Sequence, residues 1–192
     1  DLIRYMRETE NQLQILLCEL AAYLHNKDME INVWDRIIAF EGRMHEFIKA
    51  AYDYQDNTFH SHPGYYIDYF EMRLAQLQVL HNLHYEIKKI RKMPKQALVI
   101  ADYIMYMADY VVEMNIPDQQ IEKLEEISEQ MKQEELPKTR EEFEGRALLY
   151  HILMDLEEFL VYKKRFVNGL DEKKLRIYRK QEMEQKDCEN EL

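Results

Sequence analysis

Hydrophobic residues recur at intervals of three and four along most of the chain, which is the spacing of one face of an α-helix. This pattern predicts helices over about residues 2–25, 33–54, 66–92, 94–115, 118–134 and 140–168. Asn32 and Thr139 are suitable N-caps, and Asn168-Gly169 is typical of a helix C-terminus. The sequence therefore predicts an all-α fold, an up-and-down antiparallel bundle of about five to six helices.

The apolar stripes predict which side chains form the core. The sixth helix has a regular stripe, Leu149, Leu153, Leu156 and Leu160. The fourth helix is apolar nearly all round, so we expect it to be the most buried. Residues 170–192 are mostly charged and lack a strong stripe, so we expect a charged C-terminal helix or tail outside a helical-bundle domain of residues 1–169.

Composition supports long helices and restricts the partners. The 192 residues include only 4 Gly and 4 Pro, too few for the many turns of a sheet protein. A net charge of −11 repels phosphate backbones, so nucleic acid is not an expected partner. The two cysteines, Cys18 and Cys188, lie too far apart to suggest a zinc motif.

No apolar run approaches the ~20 residues that span a bilayer. The chain nevertheless opens at Asp1 without a Met, and its helical period starts at once. We therefore expect it to be a segment of a longer protein. The absence of a membrane span within it says little about such a parent.

The common catalytic signatures are missing. The four glycines are scattered, so they cannot form a phosphate-binding loop. Ser61 and Ser128 are the only serines, and neither lies in a nucleophile elbow. None of the seven histidines follows a Glu by three residues, the spacing of di-iron bundles. We therefore predict that the chain is not an enzyme and needs no cofactor.

A metal site is the weaker alternative. His81 and His84 are three residues apart on one helix, and Glu41 and His45 are four apart on another, so each pair can face one point. Buried carboxylates and imidazoles together can hold a metal. Further candidates are the loop residues His60 and His62 and the acidic residues in or beside apolar stripes, Glu10, Asp102 and Asp109. We prefer the interpretation that these groups pair with Arg, Lys or Tyr, and predict no metal.

Tyrosines suggest a second kind of site. They are concentrated at the start of the third helix (Tyr65, Tyr66 and Tyr69) and along the fourth (Tyr103, Tyr106 and Tyr110). Tyrosine with a nearby arginine suits an anionic aromatic ligand, through ring stacking and a bidentate carboxylate contact. The candidate ligand-binding residues are Arg73, Arg146, Tyr69, Tyr103 and Tyr106. The alternative is ordinary helix packing, with Arg146 paired to Glu142 one turn before it.

Two stretches carry a family resemblance. They are residues 65–73, YYIDYFEMR, and residues 136–149, LPKTREEFEGRALL, the second continuing into residues 155–160, DLEEFL. Over about residues 10–168 the chain resembles the cytoplasmic C-terminal domain of the putative aromatic acid exporter family, relatives of the fusaric acid resistance transporters. The resemblance implies a parent in the bacterial plasma membrane, with several membrane helices before Asp1 and this domain on the cytoplasmic side.

The leading hypothesis is a non-catalytic regulatory or assembly domain of such an exporter. Its expected partners are its own N-terminal transmembrane domain and further copies of the chain, and aromatic carboxylates are candidate ligands. Two alternatives stay open. One is a free-standing helical-bundle metal-binding protein or enzyme, and the other is a cytosolic protein-interaction scaffold.

Overall fold

The computed structural model describes residues 1–27, 32–58 and 64–190. Within these ranges it has no strand and seven helices, one more than expected because part of the charged C-terminal segment is helical. The all-α prediction is confirmed. The helices are α1 (Leu2–His25), α2 (Val33–Asp56), α3 (Gly64–Lys89), α4 (Ala97–Ala108), α5 (Asp118–Lys132), α6 (Arg140–Asn168) and α7 (Glu172–Asn190).

Helix α3 occupies the centre of the bundle. It packs against α1, α2 and α6, and α1 also packs against α2 and α4. Helix α5 joins α4 to α6 along one side. Because neighbours surround α3, its buried residues are spread round most of its circumference, and Leu77, Leu80, Leu83 and Ile87 are fully enclosed.

The fourth helix has the largest share of buried residues, as predicted, since 7 of the 12 residues of α4 are buried against 13 of the 26 of α3, the next highest. One of its faces is nevertheless uncovered. Helix α4 covers only Ala97–Ala108, and Leu98, Val99 and Met105 on its outer face are 45%, 46% and 48% exposed. Its main neighbours are α1 and α5. An all-round apolar helix shows no preferred side, so its sequence could not reveal that one face stays uncovered.

A chain of turns follows α4, where the sequence predicted continued helix. The amide of Val111 donates to the carbonyl of Ala108, and the amide of Asn115 donates to that of Val112. We call residues 109–117 the α4–α5 connection. It brings Glu113 inward, where that side chain is buried.

Helix α6 begins as the capping pattern predicts. The Thr139 hydroxyl accepts a hydrogen bond from the amide of Glu142 at 3.1 Å. The Glu142 carboxylate accepts from the amide of Lys138 at 3.0 Å, one residue before the expected Thr139. The predicted core stripe of this helix is confirmed, since Leu149, Leu153, Leu156 and Leu160 are all buried.

The buried faces of α1 and α2 are rotated slightly from the side that helical spacing alone predicts. Ile3 and Trp34 lie three residues before the buried Met6 and Ile37 but are exposed, whereas their neighbours Leu2 and Val33 are buried. The sequence alone fixes the apolar side of a helix only to about one residue, or about 100° of rotation.

Gly145 permits a close approach between α6 and the chain after α3. A Cβ atom at this position would lie 3.0 Å from Cγ of Pro94 and 3.2 Å from the carbonyl oxygen of Lys92. The second contact is with backbone, which cannot easily move aside. This close packing explains why residue 145, within the motif of residues 136–149, is a glycine.

Replacing a core leucine of α6 should strongly destabilise the domain. Leu156→Ala should lower the free energy of unfolding by ~2–5 kcal/mol, because it leaves a cavity in a close-packed interior. Urea denaturation followed by circular dichroism measures this. Met154→Ala, at a side chain that is 57% exposed, is the matched control and should change stability by less than ~0.5 kcal/mol. Equal effects would contradict the observed orientation of α6.

Two Gly→Ala substitutions should have opposite signs. Gly145→Ala should destabilise by ~1–3 kcal/mol, since the added methyl group is overpacked against Lys92 and Pro94. Gly42→Ala should stabilise by ~0.5–1 kcal/mol, because nothing lies within 4 Å of the new Cβ in helix α2 and alanine is the better helix former. Thermal unfolding of both variants checks the pair, and a tolerated Gly145→Ala would contradict the close approach.

Candidate functional site

A row of polar side chains runs along the inner face of α3. Tyr65, Tyr69 and Arg73 follow one another at intervals of four residues, so they project from successive turns of one face. Gln76 continues the row, and all four residues are buried. Polar groups placed this deeply need partners, and those partners come from α1, α6, α7 and the α4–α5 connection.

Arg73 is the one cation of this row, and only 1% of its surface is exposed. Its Nε donates to the Tyr69 hydroxyl at 3.0 Å, and its Nη1 donates to Oε1 of Gln76 at 2.9 Å. Its Nη2 is buried and has no hydrogen-bond partner among the described residues. The direct partners of this guanidinium are therefore neutral, and part of its donor capacity is unused.

Two buried carboxylates lie on the other side of the network, and Arg7 holds them together. Its Nη1 lies 2.9 Å from Oε1 of Glu10, and its Nη2 lies 2.8 Å from Oε2 of Glu113. The Arg7 side chain is half exposed, whereas both carboxylates are largely buried. The Tyr69 hydroxyl donates to Glu10 at 3.1 Å, so this hydroxyl links the carboxylate to Arg73.

Lys163 of α6 is buried beside the same groups. Its Nζ donates to the carbonyl oxygens of Val112 and Glu113 at 2.8 and 2.7 Å, which fastens the α4–α5 connection to α6. Burial, together with the nearby charge of Arg73, lowers the pKa of Lys163 well below its ordinary value. The ammonium is thus destabilised at this position, and its two carbonyl partners offset only part of that cost.

Tyr178 completes the network from α7. Its hydroxyl oxygen lies 2.7 Å from that of Tyr65, and the Tyr65 hydroxyl donates to Oε1 of Glu113 at 2.7 Å. Burial raises the pKa of both phenols. Sequence reasoning missed Tyr178 because it is a single aromatic residue within a charged segment. It lies ten residues after the end of α6 at Asn168, and only the packing of α7 against the bundle brings its hydroxyl to that of Tyr65.

The residues predicted to bind a ligand fall into three groups. Arg73 and Tyr69 are in direct contact in the network. Tyr103 and Tyr106 lie together, with ring centroids 5.8 Å apart, and they face α5, where Tyr103 donates to the carbonyl of Gln120. Arg146 is buried near the start of α6 and donates to the carbonyl of Glu135. The structure therefore brings two of the five candidates together in the buried network.

The metal candidates also separate. Nδ1 of His81 lies 3.5 Å from Oε1 of Glu41, so these two pair across α2 and α3, while His45 is exposed. His84 turns toward Tyr23 of α1, and burial lowers its pKa. Over residues 1–27, 32–58 and 64–190, no three His, Cys, Asp or Glu side chains are grouped to hold a metal. His60 and His62 lie outside the described residues.

The acidic residues noted in or beside the stripes have different environments. Glu10 is buried and bound by Arg7 and Tyr69. Asp102 and Asp109 are exposed on the outer face of α4 and at its end. Only Glu10 therefore belongs to the network.

Helices α3 and α6 share a second polar contact, between Glu86 and Asp155. Each carboxyl group has one buried oxygen without a hydrogen-bond partner among the described groups, Oε2 of Glu86 and Oδ2 of Asp155. Burial and the adjacent Glu86 raise the pKa of Asp155 from 3.8 to about 8. A proton on Asp155 can be donated to Glu86, so the pair is favourable when it carries one proton.

The Glu86–Asp155 pair predicts that stability falls with rising pH. The folded chain keeps the Asp155 proton up to a pH of about 8, whereas the unfolded chain releases it near 3.8. Between these values the folded state binds more protons, so its contribution to stability is lost as pH rises. Asp155→Asn should flatten this decline in urea titrations between pH 4 and 9. An unchanged slope would contradict the shared proton.

These features define a class of protein: an all-α bundle domain with a charged network enclosed between its helices. The chain belongs to the family described as "Putative aromatic acid exporter C-terminal domain", whose model matches residues 1–164. This confirms the resemblance found in the motifs of residues 65–73 and 136–160. None of the described helices is both long and apolar enough to cross a membrane.

Known proteins that are similar to this chain include a relative by sequence and a solved structure. The uncharacterized protein YqjA of Bacillus subtilis (strain 168) is 26% identical over 167 residues, which are 86% of this chain and 51% of that protein. The chain thus spans about half the length of this relative. The crystal structure of a putative membrane protein from Clostridium difficile 630 matches with a TM-score of 0.76 and 23% identity, covering 86% of this chain and 98% of that one. This second likeness shows the fold.

Proposed function

We propose that this chain is the non-catalytic regulatory domain of a bacterial aromatic acid exporter, and that it senses anionic aromatic ligands at Arg73. The observation that carries the proposal is the state of Arg73. Its guanidinium is buried, its direct partners are neutral, and its Nη2 is unpartnered among the described residues. The family of the chain supports the link to an exporter.

The physical argument concerns the cost of a buried cation. A guanidinium taken out of water is unfavourable unless its donors are satisfied and its charge is balanced. A ligand carboxylate would accept from the unused Nη2 in a charge-assisted hydrogen bond. Such a bond is stronger than one between neutral groups, so Arg73 would gain more from a ligand than from water.

The surroundings of Arg73 suit an aromatic ligand. Its guanidinium carbon lies 5.0 Å from the centre of the Tyr69 ring. The ring centroids of Tyr65 and Tyr69 lie 5.6 and 5.9 Å from that of Phe166. Offset and edge-to-face arrangements at these separations are those that aromatic rings prefer. A further ring entering this group would find contacts of the same kind.

The placement in a larger protein is part of the proposal. The relative YqjA has about twice the length that this chain covers. We infer that the remainder of such a protein contains the membrane-spanning helices, and that this domain lies on the cytoplasmic side of the bacterial plasma membrane. The net charge of −11 supports a link through protein contacts, since anionic lipid surfaces repel an acidic domain.

A specific observation favours assembly as a second function. The outer face of α4 exposes the apolar side chains of Leu98, Val99 and Met105, with the carboxylate of Asp102 on the same face. Exposed apolar side chains grouped on one helix face often mark a protein contact. Another copy of the chain or the transmembrane domain could cover it, which would agree with the expected homo-oligomer. The interaction-scaffold alternative would use the same face, and the metal-binding alternative has no ligand cluster among the described residues.

Ligand binding can be tested with benzoate and the Arg73→Gln variant. Isothermal titration calorimetry of the purified domain should show saturable benzoate binding that weakens about tenfold to a hundredfold in Arg73→Gln, since one charge-assisted hydrogen bond is worth ~1.5–3 kcal/mol. Arg146→Gln is the matched control, because it removes another buried arginine from outside the network. Acetate tests whether the ring is needed.

Three outcomes would contradict the assignment. Wild-type domain that does not bind benzoate would leave only the assembly role. Equal affinity in Arg73→Gln would place the ligand elsewhere, and a loss confined to Arg146→Gln would place it near the start of α6. Circular dichroism of each variant separates these results from unfolding.

A further inference from the structure

A single side chain anchors the last helix to the domain. Tyr178 is 0% exposed and is the only buried residue of α7, whose 19 residues are otherwise half-buried or exposed. The half-buried Leu175 packs against the same apolar cluster, and Nζ of Lys174 lies 4.2 Å from the centre of the Tyr65 ring. Further along α7 the contacts are exposed polar ones, such as Tyr110 with Glu189 at 3.5 Å. Contacts of this kind contribute little to stability. The attachment of α7 therefore depends mainly on the burial of one phenol ring.

The surroundings of that ring form an enclosed pocket, which we call the Tyr178 socket. Most of its wall is apolar, because Tyr178 packs in one buried cluster with Ile116 and Val167 and is flanked by Met114, Phe166, Leu170 and, from α7 itself, Leu175. Nζ of the buried Lys163 also lies 5.9 Å from the centre of the ring. Its inner end is polar, with the Tyr65 hydroxyl 2.7 Å from that of Tyr178.

The donor direction at the inner end is fixed. Tyr65 has one hydroxyl proton, and it donates this proton to Glu113. The Tyr65 oxygen must therefore accept from Tyr178, and the socket presents an acceptor to a phenolic O–H. Arg7 holds the Glu113 carboxylate, and Lys163 holds its backbone carbonyl, so the acceptor is oriented from two sides.

The polar end of the socket lies within the part of the chain that the family model matches, whereas Tyr178 lies outside it. The polar residues at the inner end, Tyr65, Glu113, Lys163 and Arg7, all lie within residues 1–164, the part that the family model matches. Tyr178 lies beyond that part, on a helix appended to it. The oriented acceptor therefore belongs to the common domain, whereas the phenol that fills the socket comes from outside it.

We infer that the Tyr178 socket is a binding site for a free para-substituted phenol, which competes with Tyr178 and releases α7. The phenol hydroxyl of the ligand donates to Tyr65, as that of Tyr178 does. This goes beyond the proposed function, because the socket recognises a hydroxyl through Tyr65 whereas Arg73 would recognise a carboxylate. Binding at Arg73 could fail without affecting it.

The para preference follows from the way Tyr178 enters. The main chain joins its ring opposite the hydroxyl, so the direction from the ring to α7 and solvent starts at the para carbon. A substituent at the para carbon of the ligand would point in the same direction, toward solvent, and would stay hydrated even when it is charged. A charged group at the ortho carbon would instead be buried beside Glu113, where desolvation and repulsion oppose it.

Competition with the tethered side chain of Tyr178 determines how much free phenol is needed to fill the socket. A group on a short tether acts at an effective concentration of about millimolar. A free phenol therefore has to bind the empty socket well or be abundant to displace Tyr178. Removing Tyr178 should raise the apparent affinity without any change in the residues that contact the ligand.

The test uses 4-methylphenol, which is the tyrosine side chain as a free molecule, and the full chain. Calorimetry should show saturable binding to Tyr178→Ala at least tenfold tighter than to wild type. In the Tyr178→Ala background, 4-methylphenol should bind at least tenfold tighter than toluene, and adding Tyr65→Phe should remove this preference. 2-Methylphenol, the ortho isomer, should bind more weakly than the para isomer.

A label on α7 reports release in a chain that retains Tyr178. Cys188 is exposed on α7, so a nitroxide attached to it in a Cys18→Ser background senses the motion of that helix. Its electron paramagnetic resonance spectrum should sharpen as 4-methylphenol saturates the protein. This measurement keeps the inference testable even where Tyr178→Ala does not fold.

Several results would overturn the inference. Equal affinity of wild type and Tyr178→Ala would place the ligand outside the socket. Undetectable binding to wild type up to the solubility of 4-methylphenol, or binding that leaves the label unchanged, would make Tyr178 a permanent part of the core. The expected result in Arg73→Gln is unchanged 4-methylphenol binding whether or not benzoate binding is lost, so this inference and the proposed function can fail separately.

Discussion

The structure depends on placing charged groups between helices without leaving them unpaired. Glu10 and Glu113 are held by Arg7 and by tyrosine hydroxyls, and this requirement fixes where α1, α3 and the α4–α5 connection meet. Lys163 adds α6 by binding two carbonyls of the connection. Burying such groups is costly, and losing one partner would leave another charge uncompensated. The polar network therefore specifies the arrangement of the helices more than it adds to their stability.

The same requirement explains why the network is the best candidate for a functional site. An entirely apolar bundle could bury the same surface without the cost of desolvating charges. Here Arg73 has only neutral direct partners, and Lys163 is held where its charged form is disfavoured. The Tyr178 phenol closes the network from a helix that has no other buried side chain. These groups are the ones on which the proposals for ligand binding rest.

The sequence predicted much of the fold and only part of this site. The stripe of Leu149, Leu153, Leu156 and Leu160 and the cap at Thr139 were correct because helix period and capping are local properties. Arg73 and Tyr69 were both predicted as ligand-binding residues, and they are in contact because they lie one turn apart on α3. Glu10 was noted as an acidic break in an apolar stripe, but its partners Arg7 and Glu113 were not foreseen. Glu113 is 103 residues away from Glu10, a separation over which spacing conveys no information.

The sequence by itself determined the helical class, most helix boundaries, the family and the absence of the common catalytic motifs, since each follows from local patterns of residues. The tertiary structure decided which face of α4 is covered, whether Glu41 pairs with His45 or His81, and how Tyr178 reaches Tyr65 across 113 positions of the chain. These outcomes depend on how whole helices pack against one another. Periodicity gives each helix an apolar side, but only the packed bundle determines which neighbour meets it.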